Sequence, residues 1–189
     1  LGERMTIEDM LALADTLTLG GYTDWRLPNI TELYSLMNFT GITPHESTDG
    51  AVPYIDWTVF EFAYGDPPDR LIDVQFLSST VYVSSVFGNK PAAFGINAAD
   101  GRIKGYGTNT GQFYAKFVRL ESAYASNDYV DNGDGTVTDD VSQLMWMKHD
   151  SGTHDWLDAL DYCESLAFAS FDDWRLPDAK ELQSLVDYA

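Results

Sequence analysis

The sequence predicts an α+β fold with a small antiparallel sheet, hairpins, two short helices per unit and long irregular loops. Residues 22–38 (YTDWRLPNITELYSLMN) recur as residues 171–187 (FDDWRLPDAKELQSLVD), and a stretch with the apolar spacing of a helix precedes the second copy. Between the copies, residues 73–120 contain stretches that alternate apolar and polar side chains, which indicates strands. The copies lie 149 residues apart (Trp25 to Trp174). This distance is the size of a domain, and it is much longer than the period of a solenoid repeat, which is roughly 20–50 residues.

The first helix of each copy is predicted from side-chain spacing. Four side chains of the second copy lie at i, i+3, i+4 and i+7 on one helical face: Ala159, Tyr162, Cys163 and Leu166. In the first copy, we expect Gly20-Gly21 to end the helix, because glycine readily adopts the left-handed conformation found at helix C-termini.

The second helix of each copy is predicted from a capping box. Asn29 and Asp178 each follow a proline, which keeps the residue before it extended, and each is followed three residues later by a glutamate. Such a pair satisfies the free amides at the start of a helix. We therefore predict helices over residues 30–37 and 179–186.

The Asp-Trp-Arg triplet of both copies is interpreted as structural. We expect the indoles to anchor the core and each aspartate to hold its arginine locally, while a direct ligand role for the tryptophan or arginine is the alternative. The residues are Trp25, Arg26, Trp174 and Arg175, with Asp24 and Asp173.

The region between the copies contains an irregular insertion followed by strands. Residues 40–68 form the insertion, which needs its own aromatic packing to be ordered. A strand is predicted from residue 74, a hairpin around Asp100-Gly101, and a closing strand over residues 113–120. Residues 122–127 are expected to be a polar linker.

A second hairpin is predicted over residues 129–139, followed by a buried strand over residues 144–147 that carries Trp146 as a structural residue. Four carboxylates crowd this hairpin: Asp128, Asp131, Asp134 and Asp139. Calcium prefers several oxygen ligands on a flexible loop, so these residues are a candidate calcium site. The alternative is a turn role alone, because the spacing does not match the EF-hand template.

Charge limits the class of partner. The formal net charge is −19, so we expect no nucleic-acid partner and no heparin-like polyanion, both of which require clustered lysine and arginine. No apolar stretch approaches the roughly 18 residues of a membrane span, so no membrane insertion is expected.

Catalytic motifs are weak in this sequence. His149 and His154 are five residues apart and do not share a helix face, which argues against a zinc site. Cys163 has no evident base to activate it. No nucleophile elbow, phosphate loop or dinucleotide fingerprint is present. We therefore expect a protein that is not an enzyme and has no certain cofactor.

Aromatic residues in the loops are the better indication of function. They lie among Asn, Ser, Thr and Gly, a composition typical of adaptable recognition surfaces and suited to stacking on sugars. Trp57 and Phe87 are expected in the core. The candidate ligand-binding residues are Tyr54, Tyr82, Tyr106, Asn109 and Tyr114.

Several motifs together resemble one family. They are DNGDGTVTD at residues 131–139, LMW at 144–146, the Ala-Leu-x-Tyr-Cys segment at 159–163, and DWRLPxxxELxSLVD at 173–187. This succession resembles the DUF1566 family, also called the Lcl C-terminal domain after a collagen-like bacterial adhesin. The family is similar to C-type-lectin-like folds and, on fewer residues, to the formylglycine-generating enzymes.

The resemblance implies a domain organisation. Residues 1–121 resemble the later part of a first unit, and residues 128–189 resemble the opening part of a second. The second hairpin would complete the first unit in permuted order, within one chain or across a swapped dimer. Family members commonly pair a cysteine at the Cys163 position with another in the final strand. This sequence has a single cysteine, so here we expect Cys163 to be a buried free thiol.

The resemblance also implies a function. We expect a non-catalytic recognition module of a bacterial secreted or surface protein, extracellular, at the cell surface or periplasmic, that binds a glycan or a host or matrix protein. One alternative is a structural repeat unit of a larger surface protein. The other is an enzyme of the formylglycine-generating type. This alternative is disfavoured because those enzymes depend on cysteines in their closing region, and the closing region of this chain has none.

Overall fold

A computed structural model of the chain describes residues 2–86, 88–109, 111–120 and 126–188. Phe87 and most of the expected linker lie outside these residues. The described residues form two units, one of residues 2–120 with Asp187 and Tyr188, the other of residues 126–186. Both combine short helices with small antiparallel sheets, which confirms the α+β class. Among the described residues, none of the helices has the length and hydrophobicity that a transmembrane segment requires.

The first unit contains two helices and five strands: α1 Ile7–Thr16, β1 Trp25–Arg26, α2 Ile30–Ser35, β2 Gln75–Val86, β3 Lys90–Asn97, β4 Arg102–Gly107 and β5 Val118–Arg119. Strands β2, β3 and β4 form an antiparallel sheet in that order, and β1 pairs with β5. The second unit contains β6 Tyr129–Asp131, β7 Thr136–Asp139, β8 Leu144–Met147, α3 Trp156–Ser165 and α4 Ala179–Ser184. Its strands form one antiparallel sheet in the order β6-β7-β8.

The β2-β3-β4 sheet has a core on each face. Phe76 and Ile96 are partners in the register and pack with α2, on what we call the α2 face. The next residues along the strands alternate to the opposite side. Leu77 and Ala93 therefore pack there with Met10 of α1, on what we call the α1 face.

Both predicted capping boxes are present. Asn29 accepts a hydrogen bond from the Glu32 amide at 2.8 Å, and its own amide donates to the Glu32 carboxylate at 2.9 Å. Asp178 and Glu181 form the same pair of bonds at 2.9 and 2.8 Å. The helices end two residues earlier than predicted, because the amide at each C-cap turns back to a carbonyl only three residues before it.

The expected local pairing of aspartate with arginine is wrong. Arg26 instead donates to both Glu32 oxygens, at 2.7 and 2.5 Å, and Arg175 binds Glu181 in the same way. The capping-box glutamate points back over the first turn, within reach of a guanidinium three residues before the N-cap. Asp24 is left to bind Arg119 of the adjacent strand at 2.6 Å.

Tryptophans are less buried than the sequence suggested. Trp25, Trp146 and Trp174 are half-buried, and the strand over residues 144–147 is half-buried rather than buried. Each repeated indole N–H donates to a turn carbonyl six residues earlier, at 3.3 Å for Trp25 and 3.2 Å for Trp174. Trp57 was expected in the core but is 60% exposed, because it lies in a turn of the insertion.

Gly20-Gly21 does not end α1, which stops at Thr16. The two glycines occupy the centre of a tight turn at φ 63° and 80°, between Leu19 and Tyr22, whose backbones exchange two hydrogen bonds of 3.1 Å. Glycine suits this turn because both central residues need positive φ. The second copy makes the same turn with Ala169 and Ser170, at φ 51° and 68°.

Replacing Ala169 and Ser170 together by glycine should raise the free energy of unfolding of the second unit by about 1 kcal/mol. Left-handed alanine or serine costs roughly 1–2 kcal/mol each, and part of the gain is offset by the greater freedom of glycine in the unfolded chain. Urea unfolding followed by tryptophan fluorescence measures the change. The reverse exchange, Gly20→Ala with Gly21→Ser, should destabilise the first unit; stabilisation by that exchange would contradict the explanation.

Candidate functional site

Two glycines of β4 leave an open strip on the α2 face of the sheet. Gly105 pairs with Phe94 and Gly107 pairs with Ala92, which in turn pairs with Tyr82. A Cβ atom at Gly105 would lie 3.7 Å from the Tyr82 ring and 3.4 Å from Val86. The two side chains from β2 therefore lie across β3 and reach β4 because glycine leaves the space.

Polar side chains surround this strip. A Cβ atom at Gly107 would lie 4.0 Å from both the Asn109 amide oxygen and Lys90 Cδ. Among the described residues, the Tyr82 hydroxyl, the Lys90 ammonium and the Asn109 amide have no hydrogen-bond partner. We call this group the Tyr82 surface, defined by Tyr82, Val86, Lys90, Gly105, Gly107 and Asn109.

The Tyr82 ring is held from one side. It meets Phe94 edge to face with ring centroids 5.1 Å apart, and Phe94 meets Tyr188 in the same way at 4.7 Å. Edge-to-face pairs are a favoured aromatic geometry. Tyr82 is half-buried, so the ring is fixed by Phe94 and still accessible.

Tyr106 lies on the other side of the sheet from Tyr82. Its register partner is Ala93, on the α1 face, and its ring lies 5.2 Å from that of Phe113. The hydroxyl is buried without a hydrogen-bond partner among the described residues, and burial raises the pKa of the Tyr106 phenol well above its ordinary value. The structure therefore does not bring Tyr82 and Tyr106 onto one surface.

Tyr54 and Tyr114 are half-buried elsewhere in the first unit. The Tyr54 ring fills the space beside Gly41 and Gly101, where an added Cβ would lie 2.5 Å from it. Tyr114 packs on the core beside Phe76, and the Arg4 guanidinium lies 5.2 Å from the centre of its ring. Of the five predicted ligand-binding residues, only Tyr82 and Asn109 come together.

The carboxylate of Asp139 is enclosed in the second unit. The residue is 1% exposed, and it accepts hydrogen bonds from the amides of Asp128 and Val141 and from the Ser142 hydroxyl, at 2.9, 3.1 and 2.6 Å. Burial raises the pKa of the Asp139 carboxyl, but these bonds hold the pKa below its usual value.

Two of the other hairpin carboxylates also close turns. Asp131 accepts from the Gly133 amide at 3.0 Å and pairs with Lys148, while Asp134 accepts from the Thr136 amide and hydroxyl. Over the described ranges, no three His, Cys, Asp or Glu side chains converge as metal ligands do. Asp131, Asp134 and Asp139 therefore have a turn role, and the calcium site stays a prediction.

A calcium titration separates the two roles. Calcium bound only by the folded protein would raise its melting temperature, whereas carboxylates already engaged in turns should give no shift. We expect the same melting temperature in millimolar calcium and in chelator. A rise that Asp134→Asn abolishes would assign the hairpin to calcium.

Cys163 is a free thiol, as expected, but it is half-buried rather than buried. Its counterpart in the first copy, Ala14, is only 5% exposed on α1. Helix α3 has no buried residue, whereas α1 buries Met10 and Ala14 against the sheet. The missing burial at Cys163 follows from that difference.

Comparison with known proteins identifies one family. A model of the Lcl C-terminal domain matches residues 2–119 and 135–189, nearly the whole chain. The match confirms the assignment made from the sequence motifs. The comparisons found no match among curated proteins or solved structures.

Proposed function

We propose, since this chain belongs to the Lcl C-terminal domain family, that it is a non-catalytic recognition module that binds a glycan through the Tyr82 surface. The module would act outside the cell, on a bacterial surface or in the periplasm. A sheet with one helix packed on each face supports a C-type-lectin-like fold for the first unit.

The observation that carries this proposal is the combination of one accessible ring with three unpaired polar groups. A tyrosine ring can stack on the apolar face of a sugar, and its hydroxyl can exchange hydrogen bonds with the sugar. The Asn109 amide both donates and accepts, and the Lys90 ammonium donates to hydroxyl oxygens. Such a mixture of an apolar surface with a few convergent polar groups is typical of ligand sites.

Tyr82→Ala should weaken glycan binding about tenfold, which corresponds to about 1.4 kcal/mol. The loss is expected because the ring contributes most of the apolar contact area. A glycan array with and without calcium selects the ligand, and titration calorimetry then measures its affinity for the variant. Asn109→Ala should weaken binding by a smaller factor through the lost amide.

Tyr129→Ala is the matched control, because this tyrosine lies in the second unit and is 46% exposed. The substitution should leave the affinity for the glycan unchanged. Loss of binding in Tyr129→Ala but not in Tyr82→Ala would contradict the site. An array without any signal for the folded chain would favour the alternative of a structural repeat unit, which the duplicated capping box and arginine–glutamate pair also support.

A further inference from the structure

The second copy of the repeat exposes apolar side chains that the first copy buries. Leu33 and Met37 are 0% and 1% exposed beneath the sheet, whereas their counterparts Leu182 and Val186 are 51% and 48% exposed. The two helices start with the same capping box. The two helices therefore begin alike, and they differ in how far their shared apolar positions are covered.

Residues 74–120 supply much of the cover of the first copy, together with Ile55 of the insertion. Phe76 and Ile96 pack in one core cluster with α2. The Ser79 amide donates to the Pro28 carbonyl at 2.8 Å, and the Thr80 hydroxyl accepts from the Ile30 amide at 2.9 Å. The segment of residues 74–120 thus helps to cover the helix and binds its first turn.

The closing strand of that segment binds the other end of the motif. Strand β5 pairs with β1, which places Arg119 opposite Trp25. The Arg119 guanidinium lies 2.6 Å from the Asp24 carboxylate and 3.4 Å from the centre of the Tyr22 ring. This arrangement combines an ion pair with a cation–π contact.

The second copy carries the same receiving groups without a ligand for them. Phe171 is the counterpart of Tyr22 and is 42% exposed. Asp173 corresponds to Asp24, is exposed, and has no ion-pair partner among the described residues. Trp174 and Arg175 belong to no strand, whereas Trp25 and Arg26 do.

We infer that residues 171–186 are a docking surface for a second segment of the type of residues 74–120, whose closing strand adds beside Trp174 and places an arginine between Phe171 and Asp173. This is strand addition to an open backbone edge combined with an apolar groove. The sequence contains two receiving motifs and one covering segment. If identical chains exchanged their covering segments, the first motif would lose its cover whenever the second motif gained one. A second copy of the chain is therefore a poor occupant.

Appending a duplicate of residues 41–121 after Ala189 supplies the occupant in register with the repeat. Hydrogen exchange of residues 182–186, followed by mass spectrometry, should slow at least tenfold relative to the 189-residue chain. Covering of the helix and closure of the strand edge both reduce local opening. Unchanged exchange at these residues would overturn the inference.

A charge reversal tests the predicted arginine contact. In the extended chain, Asp173→Arg should remove the protection. Adding Arg119→Asp to that variant, in the appended duplicate and not in the original segment, should restore it. Asp172→Arg, the matched control at the counterpart of Thr23, should leave the protection intact. Loss of protection in the control, or absence of rescue, would contradict the proposed occupant. Protection that depends on concentration in the 189-residue chain would contradict it as well, because it would point to a second copy.

Discussion

Leu33→Ala should lower the free energy of unfolding of the first unit by about 3 kcal/mol, whereas Leu182→Ala should cost less than about 1 kcal/mol. Leu33 is completely buried beneath the sheet, and removing a buried leucine side chain costs roughly 2–5 kcal/mol through lost burial and the cavity that remains. Leu182 occupies the same position of the repeat but is half exposed. Urea denaturation of the two variants measures both losses.

The pair of substitutions is matched in residue type, helix position and capping. An equal loss of unfolding free energy in the two variants would show that the apolar side of α4 is covered in solution by something that the 189 residues supply. A small loss at Leu33 would contradict the placement of α2 against β2 and β3. The comparison therefore separates the effect of the repeated sequence from the effect of its surroundings.

Local structure was predictable from the sequence because its causes lie within a few residues. The capping boxes at Asn29 and Asp178 were predicted from a polar residue after proline and a glutamate three positions later. Alternation between residues 74 and 107 indicated the strands, and Asp100-Gly101 marked the turn between β3 and β4. These features depend on backbone geometry that neighbouring residues determine.

Long-range pairing was not predictable in the same way. Asp24 and Arg26 are close in sequence, but each found a better-placed partner, Arg119 and Glu32 respectively. The turn at Ala169-Ser170 could not be recognised either, since neither residue favours positive φ. Which partner wins depends on strand pairing and helix orientation, which local spacing does not determine.

The candidate site shows the same division. Composition groups Tyr82 with Tyr106, but the register of β2, β3 and β4 places them on opposite faces. Composition does not indicate the glycines of the Tyr82 surface, although Gly105 and Gly107 flank Tyr106 within a strand. Glycine inside a strand often marks a place where another group approaches closely, so the spacing of Gly105 and Gly107 indicates this strip.

Arg26→Ala should destabilise the first unit by about 2 kcal/mol. Its guanidinium donates to both oxygens of Glu32, whose side chain is 9% exposed, and to the Leu120 carbonyl at 2.6 and 3.1 Å. Hydrogen bonds to charged groups contribute roughly 1.5–3 kcal/mol, and removal of the arginine leaves a mostly buried carboxylate without its counter-charge. Thermal or urea unfolding at neutral pH gives the difference.

The size of that loss should depend on pH. Hydrogen bonding from Arg26 lowers the pKa of the Glu32 carboxyl, an effect that burial opposes. A carboxyl whose pKa is lower in the folded state stabilises the fold above its unfolded pKa, about 4.3 for glutamate, and this contribution is lost as the pH falls through the lowered pKa. The difference between the original chain and Arg26→Ala should therefore narrow below about pH 4.3.

Arg175→Ala provides the control within the same chain. Arg175 makes the equivalent pair with Glu181, but its side chain is 60% exposed and it has no contact equivalent to the Leu120 carbonyl among the described residues. Exposed ion pairs contribute roughly 0–1 kcal/mol, so this variant should lose less than about 1 kcal/mol. A difference for Arg26→Ala that stays constant from pH 7 to pH 3 would mean that the guanidinium acts through packing and the Leu120 carbonyl rather than through the charge of Glu32.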